Sequence, residues 1–284
     1  MAKVRESVMR IVFLLTALMS VLCVLFVCFF LFTNGLPAIA KIGPLDFLGG
    51  IKWKPESNEF GIFPMILGSL YVTCGAIILG VPIGILTAVF IAFFCPTRIK
   101  SAVEFVTSLM AGIPSIIYGF FGLTVLVPLI NDVFGVRGKG ILAASVLLAI
   151  MILPTIISIS QQALEAVQRS YFEGAIALGA SKERSVFFVV LPAAKSGVLA
   201  SIVLGIGRAI GETMAVVMVA GNQAVIPESV FDGVRTMTTN IVLEMGYAAD
   251  LHREALIATG VVLFVFILLI NMLFSILRSK ERVQ

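Results

Sequence analysis

Residues Glu173 to Pro192, EGAIALGASKERSVFFVVLP, form the longest polar-leaning stretch on the more basic side of an otherwise apolar chain. The stretch begins with helix-forming residues and breaks at Gly179, the residue type that most readily adopts the backbone of a helix end. The charged residues 182–184 begin a second, amphipathic segment, which Pro192 ends. Both predicted helices are too short to span a bilayer and too charged to lie in lipid. We therefore expect them at the membrane surface, facing water or a partner protein.

The composition of the chain excludes the soluble classes of protein. Of its 284 residues, 60% are hydrophobic and only 13% are charged, whereas a soluble domain needs about 25% charged residues to cover its surface. The stretches between hydrophobic runs are too short to build a core of their own. The sequence therefore predicts an all-α polytopic membrane protein, whose basic residues set its topology and do not bind nucleic acid.

Six hydrophobic runs predict six transmembrane helices. They cover residues 11–32, 62–94, 102–130, 140–160, 196–220 and 255–277. Outside these runs, twelve Lys and Arg residues fall on the side that carries both termini, and seven fall on the other side. The more basic side of a membrane protein is usually cytoplasmic. We therefore expect both termini, and the stretch from Glu173 to Pro192, to be cytoplasmic.

The third run is interrupted near the middle of the membrane by the residues Gly-Ile-Pro-Ser, 112–115. Pro114 removes a backbone donor, and such a break is tolerated where the freed carbonyls face protein or a water-lined path. Ser115 follows directly, and Tyr118 lies about one helical turn further on. These residues either form a packing kink or line a path for a substrate. In the second run, Gly80 and Gly84 predict close contact with another helix.

One basic residue, Arg208, lies inside a hydrophobic run, about 18 Å along a helix from Ser196 at 1.5 Å per residue. Glu212 follows four residues later, on the same face of the predicted helix. A charge at this depth costs at least about 2.5–3.5 kcal/mol, so both side chains should face the bundle interior or a wet cavity. They could form an internal ion pair that orients the helix. Alternatively, Arg208 binds an anionic substrate, and Glu212 neutralises it when the path is empty.

Few other residues are of a type or spacing that indicates a binding or catalytic site. The four cysteines lack C-x-x-C spacing and His252 has no neighbour at metal-ligand spacing, so we expect no disulfide, metal or cofactor. Trp53, between two lysines, is expected to anchor the chain at the membrane interface. The polar segment 33–62 around it is either a surface for an extracytoplasmic partner or a connecting loop.

The stretch from Glu173 to Pro192 resembles the cytoplasmic loop of the permease subunits of bacterial ABC importers. The pattern in that family is E-A-A, three residues, Gly, nine residues, I-x-L-P. The matching residues here are Glu173, Ala175, Gly179, Leu191 and Pro192. The chain departs from the pattern at Gly174 and Val189, both of which are small or conservative replacements. The resemblance implies a type I ABC importer fold, in which this loop is the coupling helix that docks on an ATPase subunit.

Three further stretches resemble the PstC-type permease subunit of phosphate ABC importers. They are FGIFPMILGSL at 60–70, AGIPSIIYGFFG at 111–122 and GRAIGETMAVVMVAGN at 207–222. The resemblance implies transport of inorganic phosphate across the plasma (cell inner) membrane. It also implies a heterodimer with a related second permease, a dimeric ATP-binding subunit and an extracytoplasmic phosphate-binding protein. The chain itself has no Walker A motif, so it is expected to be non-catalytic, with ATP hydrolysed by another chain.

We divide the chain into an N-terminal helix with an outer segment, residues 1–62, and a permease domain, residues 63–284, with its coupling loop at 161–195. Three alternatives to phosphate import remain open. The cargo could be another oxyanion, such as sulfate or molybdate. The chain could be a secondary transporter or channel with Arg208 and Glu212 as a charge relay, although the coupling loop argues against this. An intramembrane enzyme is disfavoured because the spans contain no nucleophile–base or metal constellation.

Overall fold

The computed structural model describes the backbone of residues 2–281 and the side chains of residues 5–274 and 276. The helices are α1 (Ala2–Ile42), α2 (Pro44–Gly49), α3 (Phe63–Val89), α4 (Thr97–Gly112), α5 (Ser115–Phe121), α6 (Val127–Phe134), α7 (Ile141–Glu165), α8 (Arg169–Ala177), α9 (Lys182–Ser185), α10 (Leu191–Ala193), α11 (Lys195–Gly211), α12 (Met214–Val219), α13 (Met237–Glu244) and α14 (Asp250–Glu281). The π-helical turns Phe90–Phe94, Gly122–Leu126 and Val186–Val190 extend α3 and join α5 to α6 and α9 to α10. Within the described residues, the short strands β1 (Trp53–Lys54) and β2 (Glu59–Phe60) form the one sheet, an antiparallel hairpin.

The membrane-spanning character that the composition predicts is confirmed. Among the described residues, five helices are long and apolar enough to cross a bilayer: Arg5–Ile42, Phe63–Phe94, Ser115–Phe134, Ile141–Glu165 and Asp250–Phe274. A sixth candidate is a bent pair, Lys182–Ala193 with Lys195–Gly211, whose halves meet at 72°. The chain is therefore a multi-pass membrane protein with five or six candidate spans.

Two of the predicted runs are broken into separate helices. The third run breaks where Pro114 predicted it, because Ile113 and Pro114 both have extended backbone between α4 and α5. The prediction of one continuous helix over residues 196–220 is wrong. Helix α11 ends at Gly211, Glu212 has extended backbone with ψ 131°, and α12 begins at Met214.

Helix α7 lies at the centre of the bundle. Of its most apolar window, 67% is buried inside the protein, whereas the other four single-helix candidate spans bury at most 28% of theirs. The predicted close contact at Gly80 and Gly84 of α3 is confirmed, and α7 is the partner. A Cβ on Gly80 would lie 2.9 Å from Ile152 Cδ1, and one on Gly84 would lie 2.7 Å from Ile156 Cγ2. Glycine at these positions therefore sets how closely α3 approaches α7.

A buried polar cluster joins the hairpin to α13 and to the first turn of α14. Trp53 is 8% exposed, and its indole Nε1 donates a 2.7 Å hydrogen bond to Oε2 of Glu244. The same carboxylate accepts hydrogen bonds from Arg235 and, in a 2.8 Å contact, pairs with the ring of His252. The prediction that Trp53 anchors the chain at the membrane interface is therefore wrong. Its ring packs edge-on against Phe60, and its one polar atom has a buried partner.

Candidate functional site

Arg208 lies near the end of α11 with its side chain partly buried. Its Nη1 donates a hydrogen bond of 3.3 Å to the hydroxyl of Thr155 on α7. The guanidinium is also close enough to the phenol of Tyr118 to interact with it electrostatically. Thr155 was missed by the sequence analysis, although a hydroxyl inside the apolar run 140–160 was the available signal. Arg208 therefore faces other helices of the bundle, as its depth predicted.

Glu212 lies at the break between α11 and α12. Its Oε1 accepts a hydrogen bond of 3.1 Å from the amide of Ala215, in the first turn of α12. Its backbone carbonyl accepts a hydrogen bond of 3.2 Å from the hydroxyl of Thr238, at the start of α13. The carboxylate thus satisfies one of the amides that a helix start leaves without a partner. The prediction that Glu212 shares a helix face with Arg208 is wrong, because the extended backbone at Glu212 takes it out of the helix.

The break at Pro114 is stabilised by Tyr118. Proline has no N–H to donate to the carbonyl four residues earlier, which belongs to Met110. The buried Tyr118 donates its hydroxyl to that same carbonyl at 2.9 Å. Ser115 is the first residue of α5 and is half-buried. Tyr118 therefore has a structural role at the break, and it also lies within electrostatic reach of Arg208.

The two short helices that follow the breaks pack against each other. A Cβ on Gly119 of α5 would lie 2.9 Å from Cα of Ala215 and 2.7 Å from Sδ of Met218, both on α12. This close approach brings the break at Pro114 and the break at Glu212 into one region of the bundle. Arg208, Thr155 and Tyr118 lie in the same region, where the guanidinium and the Thr155 hydroxyl can donate to an anion, whereas the Tyr118 hydroxyl already donates to Met110.

The stretch from Glu173 to Pro192 forms two helical segments separated by Gly179, as predicted. Helix α8 carries Glu173 and Ala175, and none of its residues is buried. Gly179 has φ of +88°, the left-handed region that favours glycine. Ser181 then caps the second segment by accepting a hydrogen bond from the amide of Arg184. The segment continues through Leu191 and Pro192 to Ala193, one residue beyond the predicted end.

Contacts with the end of α3 hold this loop in place. Phe172 of α8 stacks on Phe93, with ring centroids 5.9 Å apart. Lys182 Nζ lies 4.9 Å from the centroid of the Phe94 ring, within the range of a cation–π contact. On the free side of the loop, Leu178 is 91% exposed. The loop therefore has one anchored side and one side that presents apolar and charged groups outward.

Comparisons with known proteins agree on one family. A family model described as "Binding-protein-dependent transport system inner membrane component" matches residues 80–283. The probable ABC transporter permease protein YqgH of Bacillus subtilis is 38% identical over 282 residues, which cover 96% of this chain and 91% of the relative. The phosphate transport system permease protein PstC of Mesorhizobium japonicum is 34% identical over 261 residues, covering 84% of this chain and 80% of the relative.

Solved structures show the same fold at low sequence identity. The chain matches a bacterial alginate ABC transporter, solved in complex with alginate pentasaccharide-bound periplasmic protein, with TM-score 0.60, 15% identity and coverage of 92% of each chain. It matches an inward-facing conformation of the MetNI methionine ABC transporter with TM-score 0.58 and 18% identity, covering 78% of this chain and 94% of that one. These matches confirm the predicted type I ABC importer permease fold.

Proposed function

Because the chain belongs to the family of binding-protein-dependent transport system inner membrane components and is an ABC importer permease, we propose that it carries inorganic phosphate across the plasma membrane. It acts as a non-catalytic subunit, and a partner chain hydrolyses the ATP. The phosphate assignment is supported by relatives that are named phosphate transport system permease proteins and are 34% and 32% identical to this chain.

The observation that carries the proposal is the environment of Arg208. Among the described residues, its one hydrogen-bond partner is the neutral hydroxyl of Thr155, and it forms no ion pair with a carboxylate within 4 Å. A guanidinium that is not neutralised is costly inside a membrane. It also presents a planar fork that matches two oxygens of a phosphate. Arg208 is thus suited to bind a hydrated oxyanion in transit.

Glu212, Ser115 and Tyr118 complete the proposed substrate pathway. Glu212 places a carboxylate at the break that ends the helix of Arg208, which would keep an anion from binding too tightly to leave. Ser115 and Tyr118 lie at the start of α5, on the side of the other break. The pathway would run between this permease and a related second permease, in a heterodimer.

The proposed partners bind at the two faces of the membrane, where the spans of the chain end. A dimeric ATP-binding subunit would dock on the coupling loop, residues 161–195, through α8 and the exposed Leu178. An extracytoplasmic phosphate-binding protein would deliver the substrate to the opposite face. Closure of the ATPase would move α8. Through the contacts of α8 with the end of α3, this movement would rearrange the permease domain, residues 63–284, by a rigid-body switch. Residues 1–62 would remain a peripheral helix and outer segment.

The test is phosphate uptake by cells that express the whole system with Arg208→Gln. The matched control is Arg137→Gln, which changes an exposed arginine between α6 and α7. Assembly is checked by co-purification with the ATP-binding subunit. We expect Arg208→Gln to assemble and to lose phosphate uptake, while Arg137→Gln transports at the wild-type rate. Competition with sulfate and molybdate then tests the cargo.

Uptake at the wild-type rate in the Arg208→Gln variant would contradict the proposed role of this residue, and the site would then be sought at Ser115 and Tyr118. If sulfate or molybdate inhibits the uptake of labelled phosphate as strongly as unlabelled phosphate does, the cargo is another oxyanion. Flux without ATP by this chain alone would instead favour a secondary transporter.

A further inference from the structure

The break between α11 and α12 frees backbone groups that an unbroken helix would pair. In a continuous helix, the amide of Ala215 would bond the carbonyl of Gly211. The amide of Val216 would likewise bond the carbonyl of Glu212. The backbone at Glu212 is extended instead, and among the described residues neither bond is formed. Within a membrane, freed backbone groups need partners inside the protein, so these partners decide which form of the segment is stable.

Side chains take the place of the missing backbone bonds. Oε1 of Glu212 accepts from the amide of Ala215, and Oγ1 of Thr213 donates to the carbonyl of Gly211 at 3.2 Å. Glu212 and Thr213 belong to the break itself and would move with it. The carbonyl of Glu212 differs, because its partner is the hydroxyl of Thr238 on another helix, α13. Among the described residues, that hydroxyl is the one donor to this carbonyl.

The start of α13 is fixed, so Thr238 has a defined position. Thr236 accepts from the amide of Thr239, and the hydroxyl of Thr239 accepts from the amide of Thr236. These two bonds form a capping box, which stabilises the first turn of a helix. The amide of Met237 donates a hydrogen bond of 2.9 Å to Oγ of Ser69 on α3. The first turn of α13 is therefore tied to α3 and does not follow the break freely.

The far end of α13 is also held. The helix has eight residues, from Met237 to Glu244, and is therefore about 12 Å long. Glu244 accepts the hydrogen bond from Trp53 of the hairpin and pairs with His252 of α14. With both ends fixed, α13 is a brace between the hairpin and the break at Glu212.

The hydroxyl of Thr238 opposes a second arrangement of the break. Without that hydroxyl, the carbonyl of Glu212 would find its nearest donor in the amide of Val216, as in a continuous helix. The amide of Ala215 would then return to the carbonyl of Gly211 and release the carboxylate of Glu212. The apolar run 196–220 favours this continuous form by itself. The contact from α13 therefore selects the broken form.

We propose that Thr238 is a positioning residue of the substrate pathway, which holds α11 and α12 in the broken form and thereby fixes the carboxylate of Glu212. Thr238 acts through Glu212 and touches no substrate. The inference rests on the proposed function, because it takes Glu212 as part of a path for an anion. It assigns α13, which contributes no residue to that path, the task of setting the path's geometry.

The test compares Thr238→Val with Thr238→Ser in cells that express the whole system. Valine removes the hydroxyl and keeps the size of the side chain, whereas serine keeps the hydroxyl. The matched control is Thr259→Val on α14. Thr259 is fully buried, and its hydroxyl donates to the carbonyl of Ala255 in the same helix at 2.9 Å. The maximal rate of phosphate uptake is divided by the amount of complex that co-purifies with the ATP-binding subunit.

We expect Thr238→Val to lower the uptake rate per assembled complex at least tenfold. Thr238→Ser and Thr259→Val should stay within about twofold of the wild type. A second arm adds Thr238→Val to Glu212→Gln. Because Thr238 acts through the carboxylate of Glu212, this addition should lower uptake by less than about twofold more, whereas an independent structural defect would multiply with that of Glu212→Gln.

If Thr238→Val does not assemble, Thr238→Ala replaces it in both arms. Alanine removes the hydroxyl without placing a methyl group against the carbonyl of Glu212, and the same results are expected. Uptake equal to that of Thr259→Val in the assembled variant would overturn the positioning role. A further tenfold loss in the Glu212→Gln background would also overturn it, because Thr238 would then act elsewhere. Wild-type uptake by Glu212→Gln alone would leave Thr238 no carboxylate to act through, with the same consequence.

Phosphate uptake by the unmodified complex is measured separately. If that uptake is present while the Thr238 test fails, only the positioning role is wrong. If it is absent, the proposed function itself fails.

Discussion

The indole nitrogen of Trp53 donates a hydrogen bond of 2.7 Å to Oε2 of Glu244, although the two residues are 191 positions apart in the sequence. Glu244 is 6% exposed and also accepts hydrogen bonds from Arg235 and His252. This carboxylate at the end of α13 thus joins the hairpin after α2, the segment before α13 and the first turn of α14. Because all these partners converge on one acceptor, the cluster is sensitive to the loss of that acceptor.

We expect Glu244→Ala to destabilise the assembled complex by about 3–5 kcal/mol, because removing one partner leaves the Arg235 charge buried without compensation. The control is Glu59→Ala in the same hairpin. Glu59 lies 3.8 Å from Lys52 in an exposed pair, so its loss should cost less than about 1 kcal/mol. Thermal unfolding of the purified complex measures both effects. Equal destabilisation by the two substitutions would show that the buried cluster contributes no more to stability than the exposed ion pair does.

Glu212→Gln separates the capping role of this residue from a role of its charge. Glutamine keeps an oxygen that accepts the Ala215 amide, so we expect normal assembly. A neutral cap would avoid the cost of a charge within the membrane, about 2.5–3.5 kcal/mol, so we infer that a carboxylate at this break has a use. We therefore expect phosphate uptake to fall at least tenfold, measured in cells that express the whole system. Wild-type uptake in this variant would mean that Glu212 serves only as a cap.

Gly119→Ala tests whether the close packing of α5 on α12 matters. The new Cβ would lie 2.9 Å from Cα of Ala215, and backbone atoms cannot give way cheaply. We expect a loss of about 1–3 kcal/mol in the stability of the complex, together with reduced uptake. Gly112→Ala is the control, because a Cβ there meets nothing within 4 Å. Thermal unfolding of the two variants gives the comparison, and an unchanged Gly119→Ala complex would contradict the packing argument.

Local features of the sequence predicted local features of the structure. The break at Pro114 and the turn at Gly179 depend on the backbone preferences of single residues, which do not require knowledge of the fold. The inward-facing position of Arg208, which contacts Thr155 on α7, was likewise predictable from its place in an apolar run. Glu212 was misplaced because helical periodicity assumes an unbroken helix. Gly211 was the available signal of a helix end, but the apolar run continues beyond it.

Partners that are distant in the sequence could not be predicted. Thr155 and Arg208 are 53 positions apart, and Lys100 and Glu165 are 65 positions apart. Each pair depends on how α7 packs against another helix, and a single sequence contains no direct record of that packing. Residues 161–165 were therefore assigned to a loop, although α7 continues to Glu165. Gln161 and Gln162 line a cavity between α4 and α7, and Glu165 pairs with Lys100 of α4.

Gly179 provides a test of the coupling loop that depends on backbone conformation and not on side-chain size. A Cβ at Gly179 would meet nothing within 4 Å, so a bulky residue has room, but φ is +88°. An L-residue in the left-handed region costs roughly 1–2 kcal/mol, and asparagine tolerates that region better than alanine. We expect Gly179→Ala to lower the phosphate taken up per ATP hydrolysed, and Gly179→Asn to lower it less. Gly174→Ala, in the helical part of α8 with equally open surroundings, should leave that ratio unchanged. Reconstituted complexes allow both quantities to be measured together. If Gly174→Ala and Gly179→Ala give the same ratio as the wild type, the left-handed turn is not needed to present α8 to the ATPase.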